Sequence, residues 1–168
     1  PLYISALGPK AARLAGRLGE GWITLNLPQE RLEQVLSSFE EGVKMRQNDK
    51  GLGLKSSEKP LKIAEIILSY DQDLETAIEA CRPFAGTLSP KVFHNDIIDP
   101  REIGAAGQKM DKKVIAEAML ATNNFERIIS AVEKFHRFNF DIVEVASLSP
   151  DQKSFMKLFR ENVMPQFS

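Results

Sequence analysis

The apolar residues of this chain alternate between short β-prone runs and stretches with helical spacing. Leu2-Tyr3-Ile4-Ser5 is the first run, and Gly8-Pro9 interrupts it. From Pro9, the residues Ala11, Leu14, Ala15 and Leu18 recur at helical spacing, which predicts a helix with one apolar stripe. Pro9 suits its first position, where a missing N–H costs nothing. Gly19 and Gly21 end the helix, and Trp22-Ile23-Thr24-Leu25 is a second β-prone run. Strand, helix and strand with short connections form the βαβ unit of a parallel sheet.

The alternation continues to the end of the chain. Pro28 opens a second helix with an amphipathic stripe of Leu32, Val35, Leu36, Phe39 and Val43. Asn48 to Pro60, rich in glycine, serine and lysine, reads as an exposed loop. Leu61 to Tyr70 is a third strand, apolar on both faces as buried parallel strands are. Glu65 is its exception, since a carboxylate there must find a partner or line a polar cavity. Leu74, Ala77, Ile78 and Cys81 mark a short third helix, with Cys81 as a small buried apolar residue. Arg82 to Pro100 holds three prolines and little period, and residues 83–99 are read as an irregular, lid-like excursion. Lys91, His94, Asn95 and Asp96 make it the densest polar cluster in the chain, a composition that suits an active-site lid or a structural insertion.

Pro100 opens a short helix, and Ile115 to Leu120 lies in another. Asn123 with Glu126 has capping-box spacing before a helix carrying Ile128, Ile129, Val132 and Phe135. His136 follows near the C-terminal end of that helix, where a partly charged imidazole is favourable, and takes a structural role. Asp141 to Ser147 is the fourth strand. Ser149-Pro150 starts the last helix, whose stripe is Phe155, Leu158, Phe159 and Val163 and which ends at Pro165. The fold class is therefore α/β with a parallel sheet, one domain over residues 1–168.

Composition narrows the function classes. The 168 residues are 43% hydrophobic and 27% charged, the profile of a soluble globular protein with a proper core. Twenty-two basic and 23 acidic residues leave a net charge of −1, which argues against nucleic acid or a membrane as the main partner. Cys81 is the only cysteine, so there is no disulfide framework or cysteine metal site, and a reducing cytoplasm fits best. No signal peptide or membrane-spanning run is present. The chain begins at Pro1, as a piece of a longer protein would. GxGxxG, a Walker loop, a GxSxG elbow and a His/Glu pair at metal spacing are all missing.

The first strand-to-helix turn carries the most specific chemistry. It leaves the amides of Leu7, Gly8, Lys10 and Ala11 without intrahelical partners at the positive end of a helix dipole, where an anion can bind. Gly8 allows close approach to the backbone, and Lys10 adds a charge. The same residues also satisfy a plain tight turn and helix start.

The stretch Tyr3 to Trp22, YISALGPKAARLAGRLGEGW, resembles a segment of the bacterial-luciferase-like superfamily, in particular its coenzyme F-420-dependent branch of sugar-phosphate dehydrogenases and methylenetetrahydromethanopterin reductases. Ser69-Tyr70-Asp71, Ile97 to Pro100, Ile115-Ala116 and Ser149 to Gln152 continue the resemblance through the final helix. The resemblance implies a TIM barrel of about eight strands, of which this chain is a half-barrel, strands five to eight. It implies that the backbone of Ala6, Leu7 and Gly8 holds the cofactor's phosphate, with Lys10 and Thr24 beside it. Asn26, Lys91, His94 and Ser147 become candidates on the substrate side, while Ser69, Ser147 and Ser149 sit near strand ends that face the active site in such barrels. Basic residues that clamp the substrate phosphate in the sugar-phosphate enzymes fall here on Pro28, His94 and Ala118, so a sugar phosphate is not the expected substrate. The family's catalytic histidine and acid, and its cis peptide, belong to the other half of the barrel. No catalytic residue is therefore assigned here.

A half-barrel has two bare edges, here Leu2–Ala6 and Ile142–Ala146, and bare apolar edges are seldom left exposed. The expected partners are thus a second copy or a complementary N-terminal half-barrel, together with a small-molecule substrate. Two functions follow. The chain is the cofactor-phosphate half of an oxidoreductase using F-420 or, alternatively, FMN; or it is a non-catalytic half-barrel that binds an anionic ligand and closes a barrel by dimerisation.

Overall fold

The computed structural model describes residues 1–48, 59–94 and 99–167. The chain runs β1 (Tyr3–Ser5), α1 (Pro9–Leu18), β2 (Gly21–Leu25), α2 (Gln29–Asn48), β3 (Leu61–Tyr70), α3 (Leu74–Ala85), α4 (Pro90–His94), α5 (Pro100–Gln108), α6 (Lys112–Ala118), β4 (Ala121–Thr122), α7 (Phe125–Arg137), β5 (Ile142–Ser147) and α8 (Gln152–Asn162). Tight 3-10 turns follow α3 at Gly86–Leu88 and α8 at Met164–Phe167. Most of the expected loop between α2 and β3 lies outside the described residues, as do Asn95 and Asp96.

The sheet is parallel, with β1 on β2, β2 on β3, and both β4 and β5 on β3. Tyr3, Ile4 and Ser5 pair with Gly21, Trp22 and Ile23, and Gly21 to Leu25 pair with Leu61 to Glu65. Asp141 N–H donates to Lys62 O at 2.9 Å and Leu148 N–H to Leu68 O at 2.7 Å. Residue numbers rise together across those bonds, so β5 also runs parallel to β3. Even-numbered residues of β3 face the β5 side, while Leu61 and Asp71 bond towards the strand side of β2 and β4. The two-residue β4 has no counterpart among the expected elements, being too short to leave a period in the sequence.

By contacts the chain divides into two compact units: residues 1–65 with 134–144, and residues 66–133 with 145–168. In the first, Trp22 is fully buried, stacks on Phe39 of α2 at 4.9 Å and donates its indole N–H to Ala6 O at 2.9 Å. Lys62 lies on the same sheet face, its ammonium donating to Phe138 O at 2.9 Å while its backbone N–H donates to the Asp141 carboxylate at 2.7 Å. Burial pushes the Lys62 ammonium below its usual pKa, and Lys59 adds to that, with Asp141 and Glu40 opposing.

The apolar stripe of α1 is rotated from the expected one. Ala12, Ala15 and Gly16 are buried, whereas Ala11 is exposed and Leu14 is 49% exposed. The cause is the closeness of α1 to α2. A Cβ on Gly16 would stand 2.1 Å from Phe39 O, and one on Gly42 would stand 2.0 Å from Arg13 O. At that distance the buried face selects small side chains, which a count of large apolar residues does not reveal.

In the second unit α3 and α5 meet in the same manner, since a Cβ on Gly107 would stand 2.1 Å from Arg82 O. Arg82 is buried and its Nη1 donates to the carbonyls of Gly107, Gln108 and Met110 at 3.2–3.3 Å, closing the C-terminal end of α5. Ala77, Ile78, Cys81, Ala85, Ile115 and Met119 form the apolar cluster around these helices. Burial pushes the Cys81 thiol up to about 11, with the Ser69 hydroxyl pulling the other way.

Three boundaries differ from expectation. Helix α3 continues through Pro83 to Ala85, and α4 occupies Pro90–His94, so the excursion at 83–99 is largely helical where it is described. Proline this close to a helix end removes only one late hydrogen bond. Helix α7 is capped by Asn124, whose Oδ1 accepts from Glu126 N–H at 2.9 Å, and not by Asn123. Helix α8 starts at Gln152, with the Asp151 carboxylate accepting from Ser154 N–H at 3.0 Å. Ser149 accepts instead from Tyr70 N–H at 2.9 Å, which ties the end of β3 to the segment after β5.

Candidate functional site

The turn after β1 is built by Ala6, which is still held by the sheet, and by Gly8, which opens α1. Ala6 N–H donates to Ile23 O at 2.9 Å. Gly8 has φ −137° and ψ 157°, extended backbone, and its carbonyl accepts the first helical bond, from Ala12 N–H at 2.9 Å. No side chain caps this helix. The amides of Leu7, Gly8, Lys10 and Ala11 have no hydrogen-bond partner among the described residues. They stand at the positive end of a ten-residue helix.

Two cations flank these amides. Lys10 is exposed and has no ion pair among the described residues. Arg31, in the first turn of α2, places Nη2 3.6 Å from where a Cβ on Gly8 would be. It too has no carboxylate partner among the described residues. Four unpartnered amides, a residue without a side chain and two unpaired cations form a donor set suited to a phosphate or phosphodiester. Sequence reading did not single out Arg31. Its signal was a basic residue in a first turn, where the helix dipole favours acids.

The other candidates are placed differently. Thr24 is fully buried on the sheet face that Trp22 and Lys62 share, and its Oγ1 has no hydrogen-bond partner. A strand alternates its faces, so Thr24 points to the helix side with Trp22. Asn26 accepts a hydrogen bond from Lys134 of α7, whose ammonium also donates to Leu27 O at 2.8 Å. Its amide oxygen is thus occupied within the fold. Burial pushes the Lys134 ammonium below its usual pKa, and Arg137 adds to this.

Lys91, on α4, is exposed, and the side chain of His94 lies outside the described residues. Ser147 Oγ donates to Ser149 Oγ at 2.9 Å and accepts from Ser149 N–H at 3.2 Å, which shapes the turn into α8. Ser69 is fully buried, its hydroxyl on the Cys81 thiol. Ala6 to Lys10, Thr24 and Asn26 belong to the first unit, and Lys91, His94 and Ser147 to the second. Pro28 and Ala118 are both exposed and carry no charge. Glu65 is half-buried and has no hydrogen bond or ion pair among the described residues, so the structural ion pair considered for it is not formed among them.

A cleft of about 250 Å³ is lined by residues that include Tyr70, Asp71 and Asp151. Its carboxylates are committed: Asp71 accepts from Asp73 N–H at 3.0 Å, and Asp151 caps α8. No group of three or more metal-ligating side chains occurs among the described residues, and none of their helices is long and apolar enough to cross a membrane.

The family model described as luciferase-like monooxygenase matches residues 1–136. Among curated relatives, an F420-dependent glucose-6-phosphate dehydrogenase of Mycolicibacterium gilvum is 26% identical over 168 residues, covering 99% of this chain and 48% of that protein. One of Rhodococcus erythropolis is 29% identical over 169 residues with the same coverage. An F420-dependent secondary alcohol dehydrogenase, solved with an F420-acetone adduct, superposes with a TM-score of 0.81 at 30% identity over 98% of this chain and 48% of its own. The F420-dependent tetrahydromethanopterin reductase of Methanopyrus kandleri, 23% identical with a TM-score of 0.69, shares the fold. The chain spans about half the length of the relatives it matches. The fold is accordingly a parallel (β/α) half-barrel, and the chain belongs to the luciferase-like monooxygenase family.

Proposed function

We propose that this chain is the cofactor-phosphate half of an oxidoreductase that transfers hydride with coenzyme F-420, and that a complementary half-barrel supplies the catalytic residues. One observation carries the reading: the uncapped start of α1, with its four unpartnered amides and the Lys10 and Arg31 cations around Gly8. Matches to F420-dependent enzymes along nearly all of this chain support F-420 over FMN.

When bound, F-420 supplies a deazaflavin ring that accepts or donates hydride, with the protein giving position and electrostatics. The backbone of Leu7, Gly8, Lys10 and Ala11 would hold the phosphate, and Lys10 and Arg31 would neutralise its charge. Gly8 keeps the approach open. Thr24 is buried on the covered sheet face, one residue past the Ser5–Ile23 pair, and would support the turn without touching the ligand.

β1 pairs only with β2 and β5 only with β3 among the described residues, so each offers an unpaired edge to a completing half. Leu2 at 55% exposure, Tyr3 at 43% and Ile142 at 47% are exposed apolar side chains beside those edges.

Titration of the purified chain with F-420, FMN and inorganic phosphate, followed by fluorescence and calorimetry, tests the proposal. F-420 should bind, phosphate should compete with it, and Arg31→Gln should weaken both. Equal affinity of the Arg31→Gln and Gly8→Asp chains for F-420 would remove the site from the turn. Turnover by the chain alone would show that no second half is needed.

A further inference from the structure

The link from β2 to α2 consists of Asn26, Leu27 and Pro28. It decides where Arg31 stands, because the guanidinium beside Gly8 projects from the first turn of the helix that this link starts. Little of the link is free to move. The Pro28 ring fixes its own φ and restricts Leu27 before it. Its carbonyl accepts the first helical bond, from Leu32 N–H at 2.9 Å, and Leu27 N–H donates back to Leu25 O at 2.8 Å. What remains adjustable is Asn26 and the carbonyl of Leu27, and one group holds both.

That group is the Lys134 ammonium of α7. It donates to the Asn26 side-chain oxygen and to Leu27 O, the latter at 2.8 Å. Lys134 belongs to the first unit, together with the link, Arg31 and the Gly8 turn. A lysine on a helix surface ordinarily keeps its head in water. This one is half-buried and has no ion pair among the described residues. Its desolvation is offset by the two hydrogen bonds to the link and by the Phe135 ring, 5.1 Å away.

We infer that Lys134 is a positioning residue of the phosphate site: by clamping Asn26 and Leu27 it sets where α2 begins and so holds the Arg31 guanidinium beside Gly8. The inference rests on the proposed phosphate site and adds to it a residue of α7 that acts through Arg31.

The test is a double-mutant cycle of Lys134→Met and Arg31→Gln on the whole chain, with binding of inorganic phosphate and of F-420 measured by calorimetry. Lys134→Met keeps an aliphatic side chain of similar length and removes the donors. It should weaken phosphate binding about fivefold when Arg31 is present, and by less than about twofold once Arg31 is Gln. The Arg31 Nε–H signal in nitrogen-15 spectra, assigned by its loss in Arg31→Gln, should shift in Lys134→Met before any ligand is added. A merely structural lysine would weaken binding equally in both backgrounds. That result, or unchanged phosphate affinity in Lys134→Met, would overturn the inference. Should Lys134→Met not fold, Asn26→Ala cuts one arm of the clamp and enters the same cycle with the same outcomes expected. If the unaltered chain binds neither ligand, the proposed function falls and this inference with it. If the unaltered chain binds and Lys134→Met binds equally well, this inference alone falls.

Discussion

The two units of this chain start their helices in opposite ways. In the second, the helices α3, α5, α6 and α8 are capped by Asp73, Asp99, Asp111 and Asp151, each accepting from a first-turn amide. Asn124 caps α7, which also begins there. In the first, α1 has no side-chain cap, and the Arg31 guanidinium lies beside its Gly8. A side-chain cap satisfies the amides locally and closes them to a ligand. Leaving them free forgoes that stability and keeps the positive end of the helix open for an anion. The contrast separates helix starts satisfied from within the chain from one whose first amides are left free.

The largest expected effect tests the shared basis of both units, their glycine crossings. Gly16→Ala in the first and Gly107→Ala in the second should each cost about 3 kcal/mol, because the added Cβ meets backbone at 2.1 Å in either case. Urea unfolding of the two variants checks this, and an effect confined to one of them would mean that the crossings are not equivalent.

Converting α1 to the capping of the second unit is the sharper experiment. Gly8→Asp should lower F-420 affinity about a hundredfold, some 2.7 kcal/mol, through charge and loss of free amides. It should at the same time stabilise the chain by a few tenths of a kcal/mol, since the backbone at Gly8 is already in the extended region an Asp cap uses. Calorimetry and thermal melts together decide it. If affinity and stability fell together, the turn would be structural.

The reverse change belongs to the second unit. Asp73→Ala removes the acceptor for Thr76 N–H, bonded at 2.9 Å, and should cost about 1 kcal/mol while leaving F-420 binding unchanged. A loss of binding in this variant would break the division of labour between the units.

Acid should reveal the same asymmetry in a smaller signal. Hydrogen bonds from Thr76, Arg101 and Ser154 hold the carboxyls of Asp73, Asp99 and Asp151 below the usual value of 3.8. Their contribution is present above that value and lost as pH falls through the lower folded pKa of each. Lys62 and Lys134 act at the other end of the scale. Burial lowers both from 10.5, so the unfolded chain binds more protons between the lowered value and 10.5, and stability from these groups rises with pH across that window. Amide exchange read residue by residue should therefore show early acid opening at the starts of α3, α5 and α8. Uniform opening over both units would contradict this.

The longer elements, their order and the parallel sheet were legible in the residues because period and punctuation are local properties, whereas β4 and α4 were too short to leave a period. Leu61 to Tyr70 reads as one buried strand and is one, and Leu32, Val35 and Phe39 lie on the buried face of α2 as their spacing predicts. The free amides of the turn were legible for the same reason, since Gly8-Pro9 after a strand leaves them without intrahelical partners whatever else surrounds it. What the sequence could not decide were facts that depend on which side of an element meets a neighbour. The buried face of α1 follows from how closely α2 approaches, and Thr24 and Asn26 are turned to the helix side by strand alternation and by Lys134. Arg31 joined Gly8, and Glu65 was left without a partner among the described residues, only when the elements packed together. Proximity across long loops is set by tertiary packing, which no window of sequence contains.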